Sequence, residues 1–290
     1  DLGRMEGFGD VIINNYKDKI DVHGEYVYYN QENDSAVVTG KALLIEYSTG
    51  DSLFVHADTF RLVTFYNEAG DTVIERQMRG FNKVRAFRTD MQMVADSMVF
   101  TTADSSLTLY RDPIVWSEDQ QVLGEKIIIY MNDSTIDWAH VIGQALFVQM
   151  NDTVHYNQIG GREMKAYFKN GDIDKADVEG NVQAVFYPLD GDSAMIGMNT
   201  TEASFLTVYF KMRAVNQIVV YNHSNGVMYP MEKIDEKKMY LPNFQWLERI
   251  RPIDAEDVFY WRGKRVEEQL KKSNSTKEVP LPSLDRRRNR

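Results

Sequence analysis

A ten-residue cassette whose apolar positions change parity half-way constrains this chain more than any other feature. It reads apolar, x, apolar, x, small, polar, x, apolar, x, apolar. Five copies occur: Ile20-Val22-Gly24-Glu25-Val27-Tyr29, Leu53-Val55-Ala57-Asp58-Phe60-Leu62, Met91-Met93-Ala95-Asp96-Met98-Phe100, Val122-Gly124-Glu125-Ile127-Ile129, where one apolar position falls on Gln120, and Ile159-Gly161-Arg162-Met164-Ala166. The small residues are 33, 38, 29 and 37 apart, and a degenerate sixth copy is expected at Ile196-Met198-Asn199. In a β-strand one inserted residue sends every later side chain to the other face, so the chain must bulge or turn a corner at the small–polar pair to keep its apolar set inward. The polar residue of the pair is then expected to point to solvent.

Between cassettes lie further alternating runs, such as Val38 to Leu43 and Val178 to Val182, bounded by Asn33-Asp34-Ser35, Thr49-Gly50-Asp51, Asn132-Asp133-Ser134 and Asp190-Gly191-Asp192. Turn chemistry at those points makes each repeat a hairpin of bent strands. Sixteen Tyr, 14 Phe and only seven Pro suit pleated surfaces. The sequence therefore predicts an all-β fold over residues 1–230, in which stacked bent strands bury one apolar interior between two facing sheets and leave the terminal strands free to pair. Beyond Pro230 the pattern changes. Residues 231–270 hold an aromatic segment, Leu241 to Leu247, and an expected short amphipathic helix from Asp254, which predicts a cap that plugs one end of the stack. Residues 271–290 read as a flexible tail.

Charge narrows the function classes. Thirty-three Lys and Arg against 43 Asp and Glu give a net charge of −10, the wrong sign for a nucleic-acid binder. From Lys271 onward seven basic residues face only Glu278 and Asp285. Zero cysteines remove thiolate chemistry and Cys-ligated metal sites. The five histidines show no metal-ligand spacing; His23 and His56 precede the small residues of two cassettes, where alternation sends them outward to solvent. No Gly-x-Ser-x-Gly, P-loop or dinucleotide fingerprint is present, so no enzymatic activity, metal or cofactor is expected. The corner acids Asp58, Asp96 and Glu125 read as a solubility device, with calcium ligation the alternative. Seven Asp-Ser/Thr-apolar triplets, beginning at Asp34, Asp51, Asp71, Asp96, Asp133, Asp152 and Asp192, have the form either of turn-to-strand junctions or of bacterial O-glycosylation acceptors.

The cassettes, with Gly180-Asn181-Val182 and its looser counterparts Gly40-Lys41-Ala42, Asn82-Lys83-Val84 and Asp112-Pro113-Ile114, resemble the repeats of the OstA/LptA family of lipopolysaccharide-transport proteins. The likeness covers residues 16–210 and is nearest to OstA-like proteins of Bacteroidetes, through Tyr110 to Ser117, Gly197 to Thr201, Phe244-Gln245-Trp246 and Arg251-Pro252. It implies a β-jellyroll, or β-taco, whose greasy interior carries acyl chains across the periplasm, an export signal ahead of Asp1, and partners that are lipopolysaccharide and other jellyroll proteins, or further copies of the chain, joined edge to edge. The inward cassette residues Leu53, Val55, Phe60, Met91, Met93, Met98, Ile127 and Ile129 are the expected lipid-lining set. The alternative is a structural or protein-interaction scaffold whose core is filled by its own side chains.

Overall fold

The computed structural model describes residues 3–48, 50–132, 135–191, 194–212, 214–265 and 268–269. The fold is all-β. Among the described residues, eighteen antiparallel strands form one continuous sheet: β1 (Arg4–Asn15), β2 (Ile20–Asn30), β3 (Ser35–Thr39), β4 (Leu43–Glu46), β5 (Leu53–His56), β6 (Thr59–Tyr66), β7 (Val73–Arg88), β8 (Met91–Thr101), β9 (Ser106–Tyr110), β10 (Ile114–Ser117), β11 (Gln120–Leu123), β12 (Lys126–Asn132), β13 (Thr135–Met150), β14 (Tyr156–Lys169), β15 (Asp172–Phe186), β16 (Gly197–Lys211), β17 (Ala214–Tyr221) and β18 (Asn225–Pro230). Several are halves of one bent strand. β3 and β4 pair with the two halves of β2, β5 and β6 with the two halves of β7, and β17 and β18 with the two halves of β16. Each bent strand pairs with the one before and the one after it, and the two legs build two leaves that meet at a crease.

Two kinds of corner alternate along that crease. In one, the cassette's small residue sits against the following strand. A Cβ added at Gly24, Gly124 or Gly161 would lie 2.5–2.6 Å from a methyl of Val38, Val141 or Val178, which is why the position must be small. Where Ala57 occupies the corner, the following strand carries Gly80 instead, and an added Cβ there would lie 3.4 Å from that of Ala57. In the other kind, two successive residues are left-handed: Gly40-Lys41, Asn82-Lys83, Arg111-Asp112, Gly143-Gln144, Gly180-Asn181 and Asn222-His223. Non-glycine residues hold that conformation at a cost of roughly 1–2 kcal/mol each. The cost is offset by the ladder it completes. The backbone N–H groups of Glu25, Asp58, Glu125 and Ser204 donate to the carbonyls of Gly40, Asn82, Gly143 and Asn222 at 2.8–3.2 Å.

The side chains of the corners pair as well. Glu25 meets Lys41 at 3.3 Å, Asp58 meets Lys83 at 3.2 Å, Asp96 meets Arg111 at 2.9 Å, and Glu125 accepts from Gln144 at 3.0 Å. Arg162, which breaks the acidic pattern in the fifth copy, meets Glu179 at 3.2 Å, so the charges are swapped and the pair is kept. These exposed bridges contribute little each. The corner acids are thus paired across the crease as well as solvated. The sixth corner is Ala203-Ser204 followed by Leu206 and Val208, and it replaces the copy expected at Ile196.

Residues 231–265 differ from the sequence expectation in two respects. Among the described residues the segment from Asp254 forms a 3-10 turn at Asp257–Phe259, and Glu268 is again in a 3-10 conformation with its N–H on Arg265 O at 3.0 Å, in place of one longer helix, although the Asp254 carboxylate does accept from the backbone of Glu256 and Asp257 as a cap would. Lys264 and Arg265 are non-helical. The segment also plugs neither end. It lies as a strap across the back of one leaf, crossing from β18 to β5, while β1 at one end and β17 and β18 at the other keep an edge that no other described strand pairs with. The basic tail, 271–290, lies outside the described residues. Of the Asp-Ser/Thr triplets, those at Asp34, Asp51, Asp71 and Asp152 occupy turns at the leg tips and that at Asp96 a corner; those at Asp133 and Asp192 fall partly outside the described residues.

Gly124→Ala is expected to destabilise the chain by about 1–3 kcal/mol through overpacking against Val141. Urea denaturation of the Gly124→Ala/Val141→Ala cycle checks the mechanism, since the second truncation makes room and the coupling must be favourable.

Candidate functional site

Between the leaves, burial rises from the leg tips to the crease. Leu53 is half-buried, Val55 4% exposed and Ala57 closed; Met91 is half-buried, Met93 3% and Ala95 2% exposed. On the other leaf Met131 is half-buried, with Ile129 and Ile127 progressively more enclosed. All eight expected lining residues belong to this one interior. Val55, Phe60, Met93, Met98, Ile127 and Ile129 are buried in its cluster, and Leu53 and Met91 pack against it from the mouth. Six methionines, Met78, Met91, Met93, Met98, Met131 and Met164, contribute to the same interior. Their unbranched thioethers adapt to irregular apolar shapes. Among the described residues, the buried ionic groups Arg85 and Asp257 both lie outside the interior, on the back of the strapped leaf.

That back face carries a second apolar cluster, formed where the outward side chains of β8, β10, β11, β13 and β14 meet the strap. Val94, Ile114, Trp116, Leu123 and Leu146 receive Leu241, Leu247 and Ile250. Glutamines on the sheet clamp the strap backbone. Gln158 donates to Met239 O at 2.7 Å and accepts from Leu241 N at 2.8 Å; Gln121 does the same for Gln245 O and Leu247 N, both at 2.8 Å, and accepts from Trp116 Nε1. Backbone groups that have left the sheet ladder thereby recover partners, as burial requires.

The strap ends on a charged anchor. Arg85, with no exposed surface, donates to Ile250 O and to the Asp257 carboxylate, each at 3.1 Å, and Arg262 donates to the same carboxylate oxygen. Burial pulls the Arg85 guanidinium down to about 10, still charged at neutral pH. Arg251 donates to Gln92 Oε1 at 2.7 Å, and Lys264 to Asp112 O at 3.0 Å. His56, expected in solvent, points outward but lies beneath the strap. It is 8% exposed, its Nδ1 is 2.7 Å from Ala42 O, and Phe259 lies 4.9 Å from its ring centroid. Burial there holds the imidazole below its ordinary value of 6.5.

No protein-family model matches the chain, and no curated protein matches it. Fold and site together define a two-leaved β stack with an apolar interior and a strapped back.

Removing the buried carboxylate with Asp257→Ala leaves Arg85 uncompensated and is expected to cost about 3–5 kcal/mol, read as a lowered urea midpoint. His56 is neutral when folded, so its contribution is complete above 6.5, its unfolded value, and is lost as pH falls through the depressed folded value. Stability measured between about pH 7 and 5 should fall less steeply in His56→Asn than in the parent chain.

Proposed function

We propose that the protein is a non-enzymatic carrier of acyl-chain lipid in the bacterial cell envelope, part of a periplasmic bridge that takes lipopolysaccharide to the outer membrane. The observation that carries this reading is the interior: apolar across the stack, rich in methionine, closed at the crease and loosest at the mouth, where Leu53, Met91 and Met131 are half-buried. Each methylene moved from water into such a space gains about 0.8 kcal/mol. Because Val55, Phe60, Met93 and Ile127 are closed over by their neighbours, cargo enters from the mouth by parting the leaves. The unpaired edges of β1, β17 and β18 support end-to-end union with other jellyroll proteins or with further copies. A second reading, a scaffold acting only through its edges, is favoured by the tight closure of the crease-side residues.

Photo-crosslinking residues at Leu53, Met91 and Met131, in protein expressed in the periplasm of a lipopolysaccharide-producing cell, separate the two. The carrier gives covalent lipopolysaccharide adducts at these positions and none at the outward controls Arg61 and Asp96. Folded protein without adducts at any of the three refutes the carrier and leaves the scaffold.

A further inference from the structure

The second leaf, which no described segment straps, has an outer face of aligned aromatic and charged side chains. One register row crosses five strands: Tyr130 opposite Trp138, Trp138 opposite Tyr167, Tyr167 opposite Lys175, and Lys175 opposite Tyr209. Tyr130 stacks on Trp138 at 4.1 Å with planes 7° apart, Trp138 and Tyr167 are 6.5 Å apart at 21°, and Lys175 Nζ is 4.7 Å from the Tyr167 centroid. Beside this row, across β14, β15 and β16, opens a cavity of about 120 Å³ lined by Tyr167, Phe205, Lys165, Glu163, Asp177 and Glu179. Tyr209 and Tyr221 near its rim are 38% and 42% exposed.

The charges around the cavity balance. Arg162 meets Glu179 at 3.2 Å and Glu163 at 3.7 Å, Lys175 meets Asp177 at 2.8 Å, and Lys165 stands opposite Asp177 in the sheet register; Glu163 also shares a hydrogen bond with His140 Nε2 at 2.9 Å. Arg162, Lys165 and Lys175 balance Glu163, Asp177 and Glu179, so the patch has no net field to attract a nucleic acid or an anionic membrane. Its density of Lys, Asp and Glu is equally unlike the centre of a protein–protein interface, from which those residues are depleted. A neutral polyhydroxylated ligand fits what remains. Its hydroxyls need donors and acceptors side by side, which the ion pairs offer, and its C–H surfaces need exposed aromatic rings, which Tyr209 and Tyr221 supply at the rim, the faces of Trp138 and Tyr167 being taken by Tyr130, by each other and by Lys175.

We propose that this face is an oligosaccharide-binding site, in which one sugar ring seats over the cavity beside Phe205 and the chain continues along β16 between Tyr221 and Tyr209. The site is independent of the interior and of any lipid held there.

Isothermal titration of the full chain with neutral linear hexasaccharides of glucose, mannose, xylose and N-acetylglucosamine tests it. At least one is expected to bind, with affinity reduced tenfold or more in Tyr209→Ala and in Asp177→Asn, and unchanged in Tyr260→Ala on the strap. Circular dichroism establishes that each variant is folded, and Lys165→Ala replaces any variant that is not. The proposal is overturned if no hexasaccharide binds at millimolar concentration, if binding survives the substitutions around the cavity, or if only anionic saccharides or anionic vesicles bind.

Discussion

Where each strand turns from one leaf into the other, the ladder of backbone hydrogen bonds has to cross a corner while the apolar side chains stay inward on both legs. The chain meets both demands with a single inserted residue. The left-handed pair on one strand lends its carbonyl to the N–H of the polar cassette residue on its neighbour, and the small residue before that one lets the strands approach. Glu25 with Gly40 and Glu125 with Gly143 show the geometry most directly. Loss of either half would put hydrophobic side chains on the outside of a leaf, so the interior, the crease and the mouth all follow from this one local device.

The strap makes the two leaves chemically different. On its side, outward residues such as Trp116, Leu123 and Leu146 are closed off by a second core, and sheet glutamines serve as backbone clamps. On the other side the outward face stays open and is stabilised within itself, by cross-strand aromatic and ionic pairs. A single apolar interior therefore separates a sealed back from an open one.

Much of this was legible in the residues. The parity switch located five corners, because small residues and side-chain period are written locally. Gly40, Asn82 and Gly180 stood in the motif that carries the family resemblance, but their part as the complementary, left-handed corners emerged only from the backbone. The sixth corner was missed because Asn199 and Thr201 stand at its first two apolar positions, while Leu206 and Val208 after Ala203-Ser204 keep the pattern. The strap was misplaced for another reason. Its partners are Arg85, Gln92, Gln121 and Gln158, which look like ordinary outward polar residues on alternating strands, and nothing local announces that a segment 81 or more residues away will cover them. His56 was read as solvated on the same grounds. The aromatic row was likewise hidden, since Tyr130, Trp138, Tyr167 and Tyr209 become neighbours only once the register is known.

Without the strap, every bent strand would touch only the strands beside it in sequence. Such an array behaves as a one-dimensional chain, able to melt from either end a hairpin at a time. The strap bonds tie Ile250 to a residue 165 positions earlier and Asp257 to one 172 positions earlier, across the intervening hairpins. Contacts of that span form late, after the ladder is in place, and once made they bind separate hairpins into one cooperative unit. Residues 231–265 thus act as the girth that turns a row of repeats into a single folding body.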